Sequence, residues 1–551
     1  MFHVKHLRYF SYLLILPLLL ISSLLATNRA VAEWEPMRGV LIRHPFGIST
    51  QLIRSFSTSD TVYILVQNQA AQNQAISTLS AGNVNLGMCR FIIAPTNSHW
   101  TRDWGPHSVF QDDENLAILD PIFDGYPWVP GREDNRPYEL DDEVNSILST
   151  YFQMPLIEFP AYLTGGNFMT DGYGIAYSTA QMINENFPLM NSDAFLDLAS
   201  SALGLADYRF TINPEFHGIQ HIDCWAKFLN EETVLVKQLP SWHPEYSRAE
   251  SVASQFSQET NCYGNPYRVL RIFCDTYSGN DAAAYTNSLI LNNRVFVPTF
   301  GIDADQTALQ TYIDAMPGYE VIGFPGSWYY YDALHCRTMG IADGEMLRLT
   351  HIPLPVITEL TSDELSIEVN IKSYGNHPLV PASLQVLYRS NLQPNWQSLI
   401  LTAGDQPGIY QAVIPGLQDG EELQYYFVAE DLSGRNASAP VNAPGSFFFT
   451  QLSIDPVGLN EPTLPQASFR VYPNPIRNQL SIKTETPGDM ILSAVLYNLR
   501  GQNVYHTPLS YSQYEDHLTI YLEDASLPNG IYILKLRLKS GYHYRRLAII
   551  H

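Results

Sequence analysis

The first part of the chain alternates short apolar runs with segments of helical periodicity. The runs TVYILVQ (61–67) and NSLILNNRVFVP (287–298) are rich in β-branched residues, which favour strands. The segment SRAESVASQFSQ (247–258) instead repeats its apolar positions at helical spacing. From residue 33 to about residue 355, this mixture predicts an α/β domain with short strands.

The pattern changes after Pro355. Ile367, Val369 and Ile371 alternate with polar residues, and further alternating runs follow between Pro, Gly and Asp turns. Short strands at this spacing are typical of a two-sheet β-sandwich. We therefore expect an immunoglobulin-like module over residues 356–450.

The end of the chain reads as a linker and a third module. Residues 451–468 are rich in proline and polar residues, as linkers are, and residues 469–551 show strands broken by Asn-Pro, Arg-Gly and Asn-Gly turns. We expect a small β-sandwich there. Its YPNP opening, NLRGQ turn and NGIY-led final strand resemble the C-terminal sorting domain of type IX secretion substrates. The resemblance implies contact with the type IX secretion machinery, export through the periplasm and outer membrane, and release or attachment at the cell surface.

The N-terminus has the features of a secretory leader. Lys5 and Arg8 precede an apolar run over residues 12–25, and Ala30 and Ala32 are small residues of the kind that a signal peptidase accepts. We predict a signal peptide over residues 1–32, cleaved near Ala32. A membrane anchor is the alternative, although the apolar run is short for a spanning helix. No later stretch has the length and apolarity to cross a bilayer, so the mature chain is expected to have no transmembrane segment.

Composition and charge narrow the functional classes. Hydrophobic residues make up 45% of the 551 residues, which excludes a largely disordered chain. The chain has 31 basic and 55 acidic residues, a formal charge of −24, so a nucleic-acid partner is not expected. Cationic substrates suit this charge better.

Five cysteines leave at least one thiol that cannot pair within the chain. A free thiol in an exported protein is a candidate nucleophile, although a buried structural thiol explains it equally well. The chain contains no CxxC motif and no paired His and Cys at zinc-ligand spacing. We predict no catalytic metal and no organic cofactor.

Two short segments combine carboxylates with groups suited to a cationic ligand. In HWTRDWGP (99–106), Asp103 lies between two tryptophans, and a partly desolvated carboxylate beside aromatic rings binds cations well. A structural ion pair within the same segment is the alternative. In HIDCW (221–225), a strand would place His221 and Asp223 on one face and Cys224 on the other. A histidine and a carboxylate on one face can act as general acid and base, but such a pair can also be structural.

Two further segments are candidates for a binding turn and a nucleophile. GGNFMTDGYG (165–174) is a glycine-dense turn that lets the backbone approach a ligand closely, although any bent loop has a similar composition. In DALHCRT (332–338), Cys336 lies between His335 and Arg337. Neighbouring cations favour the thiolate, so we expect Cys336 to be a reactive thiol, with a buried inert thiol as the alternative.

Together, a thiol, an imidazole and two carboxylates match the chemistry of a guanidinium group. This group is planar and permanently charged, so cleavage of its C–N bond needs anions to hold it and a strong nucleophile to attack its carbon. A histidine can protonate the departing ammonia and later activate water.

The motifs occur in the order found in the guanidine-modifying superfamily. Residues 33–355 resemble the Porphyromonas-type peptidylarginine deiminases within it, and the agmatine deiminases are also related. This resemblance implies a five-bladed α/β propeller, the pentein fold. The matching motifs are WTRD (100–103), GGNFMTDGYG (165–174), HIDCW (221–225), TNSLILNNRVFVP (286–298), AMPGYEVIG (315–323) and DALHCRT (332–338).

The resemblance also implies roles for individual residues. It makes Cys336 the nucleophile and His221 the general acid and base. Asp103 and Asp223 bind the guanidinium group. The remaining implied site residues are Asn287, in the catalytic set, and Trp100, which packs along the aliphatic stem of the substrate.

One region departs from the family pattern. A closely spaced arginine pair in these deiminases holds the terminal carboxylate of a peptide. The corresponding segment here, PIFDGYPWVPGREDNRPYEL (121–140), is longer and offers Arg132 and Arg136 at a different spacing. A preference for C-terminal arginine is therefore left open.

The sequence thus predicts a secreted deiminase that converts arginine in peptides or proteins to citrulline and ammonia through a cysteine thiouronium intermediate. One alternative is a deiminase of free agmatine or arginine, with the same chemistry and a smaller substrate. Another is a non-catalytic surface adhesin on a deiminase scaffold.

Overall fold

The structure is a computed structural model, and it describes residues 28–129 and 138–454 in full. In the C-terminal segment it describes 469–472, 476, 479–484, 490–498, 503–508, 517–522, 527, 530–538 and 541–549. Residues 1–27 of the predicted leader, Arg132 and Arg136, and most of the predicted linker lie outside the described residues.

The first region, up to residue 342, is an α/β domain, as predicted. Its helices are α1 (Thr50–Phe56), α2 (Gln69–Ala81), α3 (Thr101–Trp104), α4 (Glu139–Asp142), α5 (Val144–Phe152), α6 (Gln181–Asn186), α7 (Ser192–Leu203), α8 (Tyr246–Gln258) and α9 (Ala304–Ala315). Its strands are β1 (Arg29–Ala30), β2 (Met37–Arg43), β3 (Thr61–Val66), β4 (Cys89–Ile93), β5 (His107–Gln111), β6 (Asn115–Ile122), β7 (Leu156–Tyr162), β8 (Met169–Thr170), β9 (Ile175–Thr179), β10 (Asp207–Thr211), β11 (Ala226–Phe228), β12 (Thr233–Gln238), β13 (Arg268–Phe273), β14 (Thr276–Ser278), β15 (Asp281–Ala282), β16 (Leu289–Leu291), β17 (Arg294–Thr299), β18 (Glu320–Pro325) and β19 (Met339–Ala342).

Five small sheets of this region have a common topology. Each contains an antiparallel pair of strands, and a helical crossover leads to a further strand that pairs in parallel. The last strand, β19, pairs antiparallel with β2, with Met339 opposite Leu41, so the end of the region completes its first sheet. The strand orders are β19-β2-β3-β4, β1-β5-β6-β7, β10-β9-β8, β11-β12-β13 and β16-β17-β18.

Local sequence explains the crossover helices. In α8 the buried residues Ala249, Val252, Ala253 and Phe256 fall at helical spacing, so one face of the helix packs on the core. The helix predicted over residues 247–258 is therefore confirmed. The helix α7 begins where the side chain of Asn191 accepts from the backbone N–H of Ala194, as an N-cap does.

The end of the predicted leader is part of the fold. The strand β1 pairs antiparallel with β5, and Arg29 donates to both carboxylate oxygens of Glu35, at 2.9 and 2.8 Å. Ala32 is fully buried. Cleavage near Ala32 would remove a paired strand and the Arg29–Glu35 ion pair, while Glu35 would keep its ion pair with Arg348 Nε at 2.9 Å. The cleavage site near Ala32 stays a prediction, and it would leave this strand out of the mature chain.

The second region is a sandwich of two sheets with a shared apolar core. Buried Leu365, Ile367, Val369 and Ile371 alternate along one strand, as the sequence pattern predicts. The sheets run β20-β22-β26-β25 and β21-β29-β27-β23-β24, with β28 paired to β27. The strands are β20 (Leu347–Thr350), β21 (Ile357–Leu360), β22 (Leu365–Ser373), β23 (Gln385–Ser390), β24 (Gln397–Ile400), β25 (Thr402–Ala403), β26 (Ile409–Ile414), β27 (Glu422–Glu430), β28 (Asn436–Ala439) and β29 (Phe448–Ile454).

The boundary between these regions differs from the expected one. The strand β20 precedes Pro355, yet it pairs with β22 of the sandwich, with Leu349 opposite Ile371. The sandwich therefore begins before residue 355. At its other end, β29 continues to Ile454, into the predicted linker.

The described part of the C-terminal segment forms two further sheets, β30-β31-β34 and β33-β32-β35-β36. A shared cluster of buried residues, including Leu480, Leu496 and Leu534, lies between them. Among the residues that the structure describes, no helix is long and apolar enough to span a membrane. The strands are β30 (Phe469–Tyr472), β31 (Gln479–Thr484), β32 (Ile491–Asn498), β33 (Asn503–Pro508), β34 (His517–Tyr521), β35 (Gly530–Leu538) and β36 (Gly541–Ile549).

Candidate active site

Cys336 lies in a 3-10 turn, His335–Arg337, and is completely buried. The Nδ2 atom of Asn287 donates to Cys336 Sγ at 3.2 Å. The Oδ1 atom of the same side chain accepts from the backbone N–H groups of His335 and Cys336, at 3.0 and 3.3 Å. Asn287 thus fixes the turn that carries the thiol and supplies a hydrogen bond to the sulfur.

Asp103 comes from the short helix α3 and is also buried. Its Oδ1 accepts from the backbone N–H of Gly166 at 3.1 Å, and its Oδ2 accepts a short hydrogen bond from the hydroxyl of Tyr126. The Nδ1 atom of His221 lies 3.4 Å from Asp103 Oδ1. Sequence analysis did not identify Tyr126, which lies 23 residues after Asp103. The aromatic residues that follow the WTRD motif could have indicated it.

His221 and Asp223 converge on the same point, but not because they share the face of a strand. Residues Ile222–Cys224 form a 3-10 turn, so the strand expected for this segment is wrong. The Oδ2 atom of Asp223 lies 3.8 Å from Cys336 Sγ. Cys224 is buried in the apolar core, as expected.

Gly166 marks the centre of this arrangement. A Cβ atom there would lie 2.6 Å from both Asp103 Oδ1 and His221 Nδ1, and 3.2 Å from Asp223 Oδ2. A contact of 2.6 Å is too short for any side chain, so the position requires glycine. The expected close backbone approach in the glycine-dense turn is therefore present, and it brings the backbone to the acidic side chains.

A second histidine, His335, lies behind Asp223. The Nδ1 atom of His335 is 2.7 Å from Asp223 Oδ2, and its Nε2 atom is 2.6 Å from Glu33 Oε2. Glu33 also accepts from Lys227 Nζ at 2.9 and 3.0 Å. The sequence did not identify Glu33, because it follows the predicted leader directly and lies about 300 residues from His335.

The electrostatics of the thiol oppose the sequence-based expectation. Burial, followed by the negative charges of Asp223 and Asp103, raises the pKa of the Cys336 thiol well above its ordinary value. The expected cationic neighbours are directed elsewhere: His335 faces two carboxylates, and Arg337 donates to both oxygens of Asp332 at 3.0 and 2.8 Å. The prediction that they stabilise the thiolate is wrong, because burial and the nearby carboxylates favour the protonated thiol.

Asp223 shows the opposite shift. Burial by itself would raise its pKa, but the hydrogen bond and the charge of His335 hold the pKa of Asp223 below its usual value. Asp223 is therefore an ionised carboxylate next to a neutral thiol. A cation held between Asp223 and Asp103 would be stabilised by both carboxylates.

Aromatic side chains stand beside the carboxylates. The half-buried Trp100 packs edge-on against Tyr126, with ring centroids 5.4 Å apart, and Tyr126 contacts Trp128 at 6.0 Å. Arg132 and Arg136 follow this segment and lie outside the described residues.

The described residues contain no cluster of three or more His, Cys, Asp or Glu side chains arranged to hold a metal ion. All five cysteines lie in the described part of the chain, and none of them forms a disulfide.

Comparisons with known proteins agree with this geometry. The family model of the Porphyromonas-type peptidyl-arginine deiminases matches residues 29–341, more than half of the chain. Putative agmatine deiminases of Legionella pneumophila (strain Philadelphia 1) and Shewanella baltica (strain OS223) are 24% and 23% identical to it over 309 and 281 residues. These alignments cover 53% and 45% of this chain and 87% and 75% of the two relatives.

Solved structures support the fold. The putative arginine deiminase from Porphyromonas gingivalis aligns with a TM-score of 0.52 at 20% identity, over 58% of this chain and 99% of that chain. The agmatine deiminase of Enterococcus faecalis aligns with a TM-score of 0.51 at 20% identity, over 57% of this chain and 95% of that chain.

The C-terminal segment has its own match. Residues 470–550 fit the family model of the secretion system C-terminal sorting domain. This domain indicates type IX export, to the cell surface or into the medium. From the family match over residues 29–341, the chain belongs to the Porphyromonas-type peptidyl-arginine deiminase family.

Proposed function

We propose that this deiminase acts on arginine in peptides or proteins and releases citrulline and ammonia. One observation supports the chemistry: four buried side chains lie close together, those of Cys336, His221, Asp103 and Asp223. Asp223 Oδ2 is 3.8 Å from the sulfur, and His221 Nδ1 is 3.4 Å from Asp103 Oδ1. The secretion signal supports a macromolecular substrate, since such substrates are met outside the cell.

Binding follows from charge and shape. The carboxylates of Asp103 and Asp223 accept hydrogen bonds from the nitrogens of the planar guanidinium group and neutralise its charge. The half-buried Trp100 lies beside this clamp and packs along the aliphatic stem of the arginine. This arrangement holds the guanidinium carbon next to Cys336.

The arriving cation also activates the nucleophile. The carboxylates keep the thiol protonated in the empty pocket, so a bound guanidinium offsets their charges and lowers the pKa of Cys336. The thiol proton passes to His221, and the sulfur forms a bond to the guanidinium carbon. Asn287 stabilises the developing thiolate through its 3.2 Å hydrogen bond to the sulfur.

Collapse of this adduct breaks one C–N bond, and His221 returns the proton to the leaving ammonia. The product is a cationic thiouronium on Cys336. His221 then removes a proton from water, whose oxygen attacks the same carbon. Breaking the C–S bond yields citrulline, and the thiol regains its proton.

The remaining sequence-based expectations complete this proposal. The five small sheets are the blades of a pentein propeller, and its axis passes through the Cys336 pocket. The second region is an immunoglobulin-like module. The sorting domain is removed on export, after a signal peptide has directed the chain across the inner membrane.

The small-substrate alternative has one observation in its favour, because the curated relatives named above are putative agmatine deiminases. A citrulline assay separates the two possibilities. It compares agmatine, free arginine, a peptide with internal arginine and a peptide with C-terminal arginine, with Cys336→Ala as the inactive control. We expect a higher kcat/KM on a peptide than on agmatine. Agmatine gives a ureido product, which the same assay detects.

Turnover of agmatine or free arginine alone would replace the proposal with the small-substrate reaction. The absence of turnover on every guanidine, together with a Cys336 that a haloacetamidine does not modify, would support the adhesin alternative instead.

A further inference from the structure

His335 lies between two carboxylates rather than beside the sulfur of its neighbour Cys336. Its Nδ1 is 2.7 Å from Asp223 and its Nε2 is 2.6 Å from Glu33. Ionised carboxylates can only accept hydrogen bonds, so both ring nitrogens must donate. The ring is therefore a doubly protonated bridge between the two acids.

The surroundings fix the far end of this bridge. Glu33 accepts from Lys227 Nζ and from the backbone N–H of Ile290 at 2.8 Å, and Arg102 lies 3.7 Å away. Burial alone would raise the pKa of Glu33, but the charges of His335, Lys227 and Arg102 hold that pKa well below its usual range. Glu33 is thus a fixed anion whose own position is held by two cations.

Most of the bridge is buried, and the Glu33 side chain at its far end is 18% exposed. His335, Lys227 and Arg102 are each at most 8% exposed, and together with Glu33 and Asp223 they line a cavity of about 80 Å³. Hydrogen bonds between charged groups are stronger in such surroundings than in water. The orientation of Asp223 therefore depends on His335 and, through it, on Glu33.

We propose that Glu33 and His335 are positioning residues that keep Asp223 ionised and directed toward the guanidinium group. This inference rests on the proposed function, since it assigns a task to groups behind the same pocket. Neither residue touches the substrate. They reach the sulfur only through Asp223, whose Oδ2 lies 3.8 Å from it.

Two alkylating reagents of matched size separate these effects. In both 2-chloroacetamidine and 2-chloroacetamide the sulfur of Cys336 displaces chloride, forming a C–S bond and releasing the thiol proton. Only the amidine is a cation that the Asp103 and Asp223 carboxylates can hold. The ratio of the two second-order rate constants therefore reports on the carboxylates, while a general loss of structure changes both rates together.

The variants are Glu33→Gln, which keeps the shape and removes the charge, and His335→Gln, which cannot bridge both acids. His351→Gln is the control, because His351 is also buried and bonded at both ring nitrogens but lies in the second region, against Glu368 O and Tyr425. Glu33→Asp keeps the negative charge on a side chain that is one methylene shorter. Thermal melting checks that each protein is folded.

We expect the amidine to amide ratio to fall about ten- to a hundredfold in Glu33→Gln and His335→Gln, with a parallel loss of kcat/KM on the arginine peptide. Glu33→Asp should recover part of the ratio, and His351→Gln should match the wild type. If His335→Gln does not fold, the two Glu33 variants carry the test.

A wild-type ratio in folded Glu33→Gln and His335→Gln would overturn the inference while leaving the deiminase activity intact. A wild-type enzyme with no citrulline production and no preference for the amidine would overturn the proposed function itself, and this inference with it.

Discussion

Asp223 separates two buried regions, each with one histidine and one further carboxylate. On the substrate side, His221 Nδ1 lies 3.4 Å from Asp103 Oδ1, and neither ring nitrogen makes a hydrogen bond to the described residues. On the rear side, His335 bridges Asp223 and Glu33 at 2.7 and 2.6 Å. Both imidazoles are buried, at 0% and 4% exposure. The difference lies in their partners, not in their burial.

This difference separates a reacting group from a supporting group. An unpartnered buried imidazole costs stability, and such groups persist where a ligand completes their hydrogen bonds. A fully bonded imidazole is held in one orientation and cannot exchange protons freely. These contacts support the proposal that the substrate side accepts a cation and transfers protons, while the rear side holds Asp223 in place.

We expect the largest effect from a substitution that removes the proposed nucleophile on the substrate side. Cys336→Ala should lower kcat for citrulline formation by about a thousandfold or more, because no covalent adduct can form. The melting temperature should stay close to that of the wild type, since only one sulfur atom is lost. Activity near the wild-type level in this variant would contradict the assignment of the nucleophile.

The two clamping carboxylates should both matter, but for different reasons. Asp103→Asn and Asp223→Asn should each lower kcat/KM by about a hundredfold, because a single carboxylate neither neutralises nor orients the cation. Only Asp223→Asn also leaves His335 with one anionic partner, so it should lower the melting temperature more than Asp103→Asn does. Calorimetry and steady-state kinetics on the same preparations test both statements. Equal melting temperatures would weaken the distinction between the two sides.

A smaller change can disturb the substrate side alone. Gly166→Ala places a Cβ atom 2.6 Å from Asp103 Oδ1 and His221 Nδ1, so these groups must move apart. We expect kcat/KM to fall by about tenfold or more while the bridge between His335 and Glu33 stays in place. Gly87→Ala in the same region is the control, because its Cβ would meet only the side-chain Oδ1 of Asn85, at 3.1 Å. Equal activity of the two variants would argue against the crowded geometry.

The smallest expected effect concerns the pH dependence of the thiol. Burial and the charges of Asp223 and Asp103 raise the pKa of Cys336, so less thiolate is present at neutral pH than in an exposed cysteine, whose pKa is about 8.5. Alkylation by chloroacetamide should therefore still accelerate above about pH 9. Asp103→Asn should move the midpoint to lower pH, because one repelling charge is gone. A rate that has already levelled off at neutral pH would contradict this picture.

Sequence reasoning located the site where chemistry-bearing residues are close in the chain. Cys336, Asp103, His221 and Asp223 each stood in a short motif, and the structure brings these motifs together. The strand expected at residues 221–225 is a 3-10 turn, because alternation over five residues is too short to distinguish the two.

The residues that the sequence missed depend on distant contacts. Glu33 meets His335 only after the end of the α/β region returns to its first sheet, through the pairing of β19 with β2. A second long-range pairing, of β1 with β5, places Arg29 and Ala30 in the fold, although local composition assigned them to the leader. Small residues before Glu33 satisfy a signal peptidase pattern and a paired strand equally well, so local composition does not distinguish them.

The central claim is that Asp103 and Asp223 clamp a guanidinium group so that its carbon faces Cys336. A crystal structure of Cys336→Ala with a bound arginine peptide tests it most directly. The account predicts guanidinium nitrogens about 2.7–3.2 Å from oxygens of both carboxylates, with the central carbon facing the Cβ of residue 336. A guanidinium group bound away from either carboxylate, or with its carbon turned from residue 336, would contradict the account.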